Sequence, residues 1–91
     1  MIRFEWDEKK AASNLKKHAV SFDEAKTVLE DPFSLTIPDR NHSTGETRFI
    51  DLGYSVKNRL LVVVYTERND VIRIISSREA EKYERRQYEN K

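Results

Sequence analysis

The stretch LLVVVYTERNDVIRIISSREAEKYERRQY, which runs from Leu60 to Tyr88, decides the fold of this chain. Two apolar runs flank a short polar turn and predict a β-hairpin, and the charged segment that follows without a linker predicts a helix. Because both runs are apolar at odd and even positions, both strands are expected to lie centrally in a sheet covered on each face. Arg73 interrupts the second run, and Arg78 marks the switch from strand to helix. A guanidinium in an apolar strand needs a partner, either a carboxylate or a bound anion.

Upstream of that stretch, the sequence predicts one strand followed by two helices. Alternation of apolar and polar side chains over residues 2–6 indicates a half-buried strand. Asp7 is the expected N-cap of a helix ending near His18, and the spacing of Ser21 and Glu24 is a capping-box pattern that opens a second helix. The apolar stripe of the first helix is predicted to contain Ala11, Ala12, Leu15 and Ala19. The inner face of the second helix is predicted to contain Phe22, Ala25, Val28 and Leu29.

The middle of the chain predicts two further strands. Residues 33–37 indicate a short strand that Pro38 closes. Residues 39–45 indicate a polar loop, and residues 46–53 an alternating strand. With the hairpin and the last helix, the order becomes β-α-α-β-β-β-β-α. This order predicts the α+β class, an antiparallel sheet packed against helices, as a single domain spanning residues 1–91.

Composition excludes several classes of protein. Lys and Arg number 17 against 16 Asp and Glu, so the chain lacks the basic excess of a dedicated nucleic-acid binder. It contains no cysteine, which excludes disulfides, thiolate catalysis and zinc sites of the cysteine type. No apolar run approaches the roughly 20 residues of a membrane span, and the N-terminus lacks the apolar core of a signal peptide. We therefore expect a cytoplasmic protein that does not enter a membrane.

The register of the hairpins is expected to bring two arginines together. A four-residue turn in the last hairpin pairs Val64 with Arg73. If the preceding hairpin pairs Leu52 with Leu60, Arg48 also lies opposite Val64. Arg48 and Arg73 then flank Val64 on one face of the sheet, whereas a one-residue slip would separate them.

Two interpretations of such an arginine pair remain open. In the first, each arginine forms a structural ion pair with a carboxylate, and the candidates are Glu46, Asp51, Glu67 and Glu84. In the second, the guanidinium groups hold a phosphate and stabilise the extra negative charge of a pentacovalent phosphorus. The sequence has no nucleophile motif and no phosphate-binding glycine loop. RNA suits the second interpretation, because its own 2′-hydroxyl can act as the nucleophile.

Three other side chains are candidates for the same chemistry. His42 is four residues before Glu46, and either reaches a bound ligand or is merely solvated. Glu84 shares a helix face with Tyr88 and is placed to accept hydrogen bonds from an arginine of the last strand. Tyr88 either stacks a base, donates a proton or covers the edge of the sheet. The two histidines lack a metal-ligand spacing, so neither a metal site nor a cofactor is expected.

Several short motifs follow one another along nearly the whole chain. The first half contains Phe4-Glu-Trp6-Asp7, Asn14-Leu-Lys-Lys17-His18, Val20-Ser-Phe22 and Glu24-Ala25. The middle and the end contain Asp39, His42, Glu46 and Arg48, then Arg73-Ile-Ile-Ser76-Ser-Arg78-x-Ala80, Glu84-Arg85 and Tyr88. In order and spacing these motifs resemble the BrnT toxin family. Ser77 and Ala19 stand where many members of that family carry alanine and glycine.

The resemblance implies a toxin of a type II toxin–antitoxin module, with a fold similar to RelE-type ribonucleases. Such a toxin would cleave RNA without a metal ion and thereby inhibit translation. Its antitoxin, similar to BrnA, would be a ribbon-helix-helix protein that neutralises the toxin, and the toxin would reach DNA only through that antitoxin. A non-catalytic alternative stays open, in which the chain only binds a ribbon-helix-helix partner and acts as a co-repressor. The balanced charge of the chain favours that alternative.

The resemblance also implies which side chains face the RNA. They are expected to be Lys17, His42, Glu46, Arg48, Arg73, Arg78 and Tyr88. Arg48 and Arg73 would stabilise the charge at the scissile phosphate, and His42 or Glu46 would remove the 2′-hydroxyl proton. Arg78 and Tyr88 would position or protonate the leaving oxygen. Glu84 would orient an arginine.

Overall fold

The computed structural model describes residues 2–44 and 46–90, and the side chains of all of these except residues 40–44. The elements are β1 (Arg3–Glu5), α1 (Glu8–His18), α2 (Phe22–Val28), β2 (Leu35–Thr44), β3 (Glu46–Tyr54), β4 (Leu60–Arg68), β5 (Val71–Glu79) and α3 (Lys82–Glu89). The predicted order of strands and helices is therefore confirmed. Within the described ranges, no helix combines the length and the apolar character that crossing a membrane requires.

The five strands form one sheet in the order β1-β5-β4-β3-β2. As predicted, β4 and β5 lie inside the sheet, with a neighbour on each side. Hairpins join β2 to β3, β3 to β4 and β4 to β5, so these strands are antiparallel. β1 instead runs parallel to β5, which makes the sheet mixed and corrects the expectation of a purely antiparallel one. No hairpin constrains β1, because most of the chain separates it from β5.

The two faces of the sheet are covered unequally. α1 and α2 pack on one face, where the main core contains Val20, Phe22, Ala25, Val28, Leu61, Val63, Tyr65, Ile72 and Ile74. The opposite face, called the open face below, carries a smaller cluster of Leu52, Leu60 and Val62, against which Tyr88 packs. Of the helices in the described ranges, α3 packs there, and its eight residues span about 12 Å. Part of the open face is therefore left accessible.

The inner side of α1 differs from the predicted apolar stripe. Ala12 and Leu15 are exposed, and the buried residue of α1 is Asn14. The Asn14 amide nitrogen donates to the carbonyl oxygens of Val20 (2.9 Å) and Ser77 (2.8 Å), and its oxygen accepts from the Ser77 backbone N–H (3.1 Å). Three hydrogen bonds satisfy this buried amide, so a polar residue holds the end of α1 against β5.

The second helix follows its prediction more closely. Phe22, Ala25 and Val28 are buried, and the Ser21 hydroxyl accepts a hydrogen bond from the Glu24 backbone N–H (3.0 Å). The second half of the expected capping box is replaced by another contact, because the Glu24 carboxylate bonds the Arg59 guanidinium. This contact ties α2 to the loop between β3 and β4.

The predicted loop over residues 39–45 is wrong for most of its length, since β2 continues to Thr44. Pro38 does not close the strand; it lies within β2, opposite Phe49 of β3. β2 is an edge strand, so a residue without a backbone N–H is tolerated on its outer side. The last helix also begins later than expected, at Lys82, because β5 continues through Arg78 to Glu79.

Candidate functional site

The turn between β4 and β5 is shorter than predicted. Arg68 pairs with Val71, so only two residues connect the strands, and Asn69 adopts the left-handed conformation (φ 55°) that such a tight turn uses. Arg73 consequently lies opposite Thr66 rather than Val64. The turn therefore has two residues where four were predicted.

The register of the preceding hairpin, between β3 and β4, also differs from the predicted register by two residues. Leu52 pairs with Val62 rather than Leu60, and Arg48 lies opposite Thr66. A displacement of two residues keeps each side chain on its face, because side chains alternate with a period of two. The expectation that Arg48 and Arg73 share a face is therefore confirmed, although they flank Thr66. Two strand spacings separate their Cα atoms, about 10 Å, which two long side chains can bridge.

Acidic residues on the outer strands extend this alignment. Asp39 of β2 lies opposite Arg48, and Glu5 of β1 lies beside Arg73. We call Asp39, Arg48, Thr66, Arg73 and Glu5 the arginine row. An Arg73 Nη1 donates to Glu5 Oε2 at 2.7 Å, and both side chains are about half exposed (44% and 51%). An ion pair this exposed contributes about 0–1 kcal/mol, so an incoming phosphate can replace the carboxylate.

A β-bulge in β5 places a third arginine on the same face. Val64 pairs with Ser76 and Tyr65 with Ile74, so Ile75 is the extra residue. Arg73 and Arg78 are five positions apart and would face opposite sides of a regular strand. The bulge turns both guanidinium groups to the open face, an effect that the alternation of the sequence does not reveal.

Arg78 is held by the expected carboxylate. Its Nη1 and Nη2 donate to Glu84 Oε1 and Oε2, each at 2.8 Å, in a bidentate pair. The same Glu84 carboxylate accepts from the Glu81 backbone N–H at the start of α3 (2.8 Å). The hydrogen bonds from Arg78 hold the pKa of Glu84 below its usual value of 4.5. The pair fixes the guanidinium in one orientation while leaving 35% of the Arg78 side chain exposed.

An open cleft of about 770 Å³ lies between α3 and the open face. Its apolar floor consists of Leu35, Ile37, Ile50, Leu52, Val62 and Val64. Its polar and aromatic walls include His18, Asp39, Arg78, Tyr83, Glu84 and Gln87. Because Asp39 belongs both to the cleft and to the arginine row, the two features are continuous. The arginines thus border a hollow large enough for part of a ligand.

Comparison with known proteins identifies the family. Residues 6–84 match the family model described as "Ribonuclease toxin, BrnT, of type II toxin-antitoxin system". The chain belongs to the BrnT family. The crystal structure of the Brucella abortus ribonuclease toxin BrnT is similar, with a TM-score of 0.70 and 20% sequence identity over 90% of this chain and 100% of that chain. A search of curated protein sequences found no match.

Membership of the BrnT family implies an RNA target and an antitoxin partner. The fold predicted from the sequence, an α+β domain with this order of elements, is shared with the Brucella BrnT structure. Among the described residues of this BrnT chain, no three His, Asp or Glu side chains are grouped closely enough to hold a metal ion.

Tyr88 lies far from the arginine row of this BrnT chain. Its hydroxyl donates to Asp31 Oδ2 at 2.8 Å, and its ring meets that of Tyr54 edge-on, with centroids 5.3 Å apart. Burial, and then the Asp31 carboxylate, raise the pKa of Tyr88 to about 12. Tyr54 is six residues from Arg48 along β3, which corresponds to about 20 Å. The structure therefore does not bring Tyr88 to Arg48 or Arg73, and its bond to Asp31 is an anchoring contact for α3.

The remaining candidates from the sequence are Glu46, His42 and Lys17. Glu46 is two residues from Arg48 on the same strand and bonds the Arg68 guanidinium. His42 lies in β2, but its side chain is outside the described part of the structure. Lys17 is exposed in the last turn of α1, next to His18, which lines the cleft. The contributions of Thr66 and Glu5 to the arginine row were not anticipated, because they depend on register and on the parallel pairing of β1.

Replacing Tyr88 with phenylalanine is expected to leave RNA cleavage within twofold of wild type. The change removes the hydrogen bond to Asp31 and should lower the free energy of unfolding by about 1 kcal/mol at pH 8 in urea titrations. A 100-fold loss of cleavage from a folded variant would contradict this placement and restore Tyr88 to the catalytic group.

The same variant should reveal the ionisation of Tyr88. Its pKa rises from 10.0 in the unfolded chain to about 12 in the fold, so the stabilising contribution is complete below pH 10 and is lost as the pH rises towards 12. The difference in unfolding free energy between wild type and Tyr88→Phe should therefore shrink over that interval. A constant difference would show that Asp31 does not bind the neutral hydroxyl preferentially.

Proposed function

We propose that this chain is an endoribonuclease toxin that cleaves RNA on the open face of its sheet without a metal ion. The observation that supports this most strongly is the position of Arg48 and Arg73 on either side of Thr66, beside an open cleft. The Cα atoms of these two arginines are about 10 Å apart, so both guanidinium groups can contact the same phosphodiester. Family membership supplies the substrate class, because the matching model describes ribonuclease toxins.

The proposed reaction uses the substrate's own nucleophile. The 2′-oxygen forms a bond to the adjacent phosphorus while the bond from phosphorus to the 5′-oxygen breaks, giving a 2′,3′-cyclic phosphate and a free 5′-hydroxyl. The proton leaves the 2′-hydroxyl for a base on the protein, and the 5′-oxygen takes one from solvent. Arg48 and Arg73 stabilise the charge that builds up on the nonbridging oxygens. A nucleophile from the RNA and charge stabilisation by the protein would make the mechanism similar to that of RelE-type ribonucleases.

The base in this proposal is His42 or Glu46. Glu46 shares a strand and a face with Arg48, and its bond to Arg68 is between exposed groups and therefore exchangeable. We assign Arg78 to positioning of the leaving strand, because its guanidinium is already oriented by Glu84. Lys17 is assigned to phosphate contact outside the cleaved linkage.

We further propose that a ribbon-helix-helix antitoxin similar to BrnA neutralises the chain in the cytoplasm and carries it to DNA. The support is that type II toxins act with a protein antitoxin. The open face is the accessible side of the sheet, so a partner that covers it would exclude RNA from the arginine row. Release of the toxin would then lead to RNA cleavage and arrest of translation.

The test is cleavage of an oligoribonucleotide by the purified chain in excess EDTA. We expect cleavage to continue without divalent ions and to yield 2′,3′-cyclic phosphate ends. Replacing the 2′-hydroxyl by hydrogen at the cleaved nucleotide should abolish cutting there, because the nucleophile is gone. Cleavage that needs added metal, or that tolerates the 2′-deoxy nucleotide, would refute this mechanism. No cleavage of any RNA, with tight binding to a ribbon-helix-helix partner, would instead support the co-repressor alternative.

A further inference from the structure

One wall of the cleft combines an aromatic ring with a side-chain amide. Tyr83 lines the cleft while remaining 56% exposed. Gln87 lies one turn further along α3 and lines the same cleft, so both side chains point from one side of the helix. Neither residue is among the site residues expected from the sequence. An exposed ring beside a hollow, rather than against the core, is available to a ligand.

We propose that this cleft binds a nucleobase of the RNA substrate, with the Tyr83 ring as its stacking surface and the Gln87 amide as its hydrogen-bonding group. This inference rests on the proposed function. Ile50, Val64 and Ser76 are cross-strand neighbours that line the cleft. On β3 and β4 they are two residues from the arginine row, about 7 Å along the strands. A phosphate held on that row therefore places an attached base over the cleft.

Each part of the cleft offers a group that suits one part of a nucleobase. Bases of single-stranded RNA stack on exposed aromatic rings, and Tyr83 offers such a ring. The apolar floor, which includes Val62 and Val64, can take the other flat face of the base. A glutamine amide donates and accepts at once, a pattern that pairs with N7 and N6 of adenine. We therefore expect adenine to be favoured over uracil at this position.

The experiment compares Tyr83→Leu and Tyr83→Phe with wild type on one oligoribonucleotide. Leucine keeps an apolar side chain but removes the stacking ring, and should raise KM about 10-fold with little change in kcat. Phenylalanine keeps the ring and should stay within twofold of wild type. Gln87→Ala should reduce the preference for adenine over uracil. Tyr83 is exposed, so urea titrations should show that all these variants fold.

A binding measurement separates this inference from the proposed function. An uncleavable 2′-deoxy oligonucleotide with 2-aminopurine at the favoured position keeps the purine ring and N7 but not the 6-amino group, so it reports stacking on Tyr83. It should lose fluorescence in wild type and in Tyr83→Phe, but not in Tyr83→Leu. Should wild type fail to cleave RNA, the proposed function fails and this quenching still decides the base site. Should wild type cleave RNA while Tyr83→Leu leaves KM and quenching unchanged, the base site is refuted and the proposed function stands. Loss of antitoxin neutralisation alone in Tyr83→Leu would show that the cleft binds protein instead.

Discussion

Replacing Arg48 with alanine should lower kcat for RNA cleavage by about 10²–10³-fold, the usual loss when one charge-stabilising group is removed from a transition state. Arg48 lies in the arginine row opposite Thr66, where its guanidinium would contact the developing charge on phosphorus. Arg73→Ala should have an effect of the same size from the other side of Thr66. Single-turnover cleavage of an oligoribonucleotide measures both changes without interference from product release. Growth arrest on induction should be relieved in parallel.

The control for these variants is Arg86, an exposed arginine of α3. Arg86→Ala removes the same charge and should change kcat by less than threefold. Arg48→Lys is informative as well, since it keeps the charge and loses the bidentate fork, and should recover only part of the activity. If Arg48→Ala and Arg73→Ala both cleave RNA as fast as Arg86→Ala, the arginine row is not the place where the phosphodiester is cut.

Replacing Glu24 with glutamine should lower the free energy of unfolding by about 3 kcal/mol at pH 7. Glu24 is 4% exposed and accepts from Arg59 Nε at 2.9 Å and from the Ser55 hydroxyl at 2.7 Å. A second Arg59 nitrogen donates both to Glu24 and to the Ala19 carbonyl oxygen. The neutral amide would remove the nearer of two carboxylates around this guanidinium; the other, Glu79, has its Oε2 3.9 Å from Arg59 Nη1. We take the lower end of the range for a broken buried pair, because the Arg59 side chain is 27% exposed.

The Glu24 effect should also depend on pH. Hydrogen bonds from Arg59 hold the pKa of Glu24 below its usual value of 4.5. The ionised carboxylate thus stabilises the fold fully above about pH 4.5, and this contribution is lost as the pH falls through the lower folded-state pKa. Urea titrations of wild type and Glu24→Gln should converge in that acidic range. Glu30→Gln, an exposed carboxylate near the end of the same helix, should stay within about 0.5 kcal/mol of wild type throughout. A Glu24→Gln difference as small as that of Glu30→Gln would contradict the assignment.

The sequence was sufficient to predict the order of the elements and the shared face of the arginines, because both depend on local sequence patterns. These patterns are the alternation of strand residues, the two apolar runs and the helix caps Asp7 and Ser21. The predicted register of both hairpins was wrong, but each differs from the observed register by two residues. Because side chains alternate with a period of two, the shared face of Arg48 and Arg73 was still predicted correctly. A displacement of one residue in either hairpin would have reversed the conclusion.

Other features depend on contacts between distant residues, which periodicity does not encode. Arg73 pairs with Glu5, a partner 68 positions away that the parallel placement of β1 brings near, and not with any of the four carboxylates expected. Asn14 is buried because it bonds the backbone of Ser77, so a polar residue occupies the inner side of α1. The bulge at Ile75 is visible only in the pairing of β5 with β4, and it explains how Arg78 joins Arg73 on the open face.

Whether the arginine row holds the cleaved phosphodiester can be seen in a crystal structure of this chain with an RNA oligonucleotide that carries one 2′-deoxy nucleotide at the cleavage position. We predict a phosphate above Thr66, with its oxygens about 2.7–3.2 Å from the guanidinium nitrogens of Arg48 and Arg73. Glu5 should have given up its bond to Arg73 in that complex. A phosphate bound elsewhere on the chain, with the Arg73–Glu5 pair still intact, would show that the arginine row does not hold the cleaved linkage.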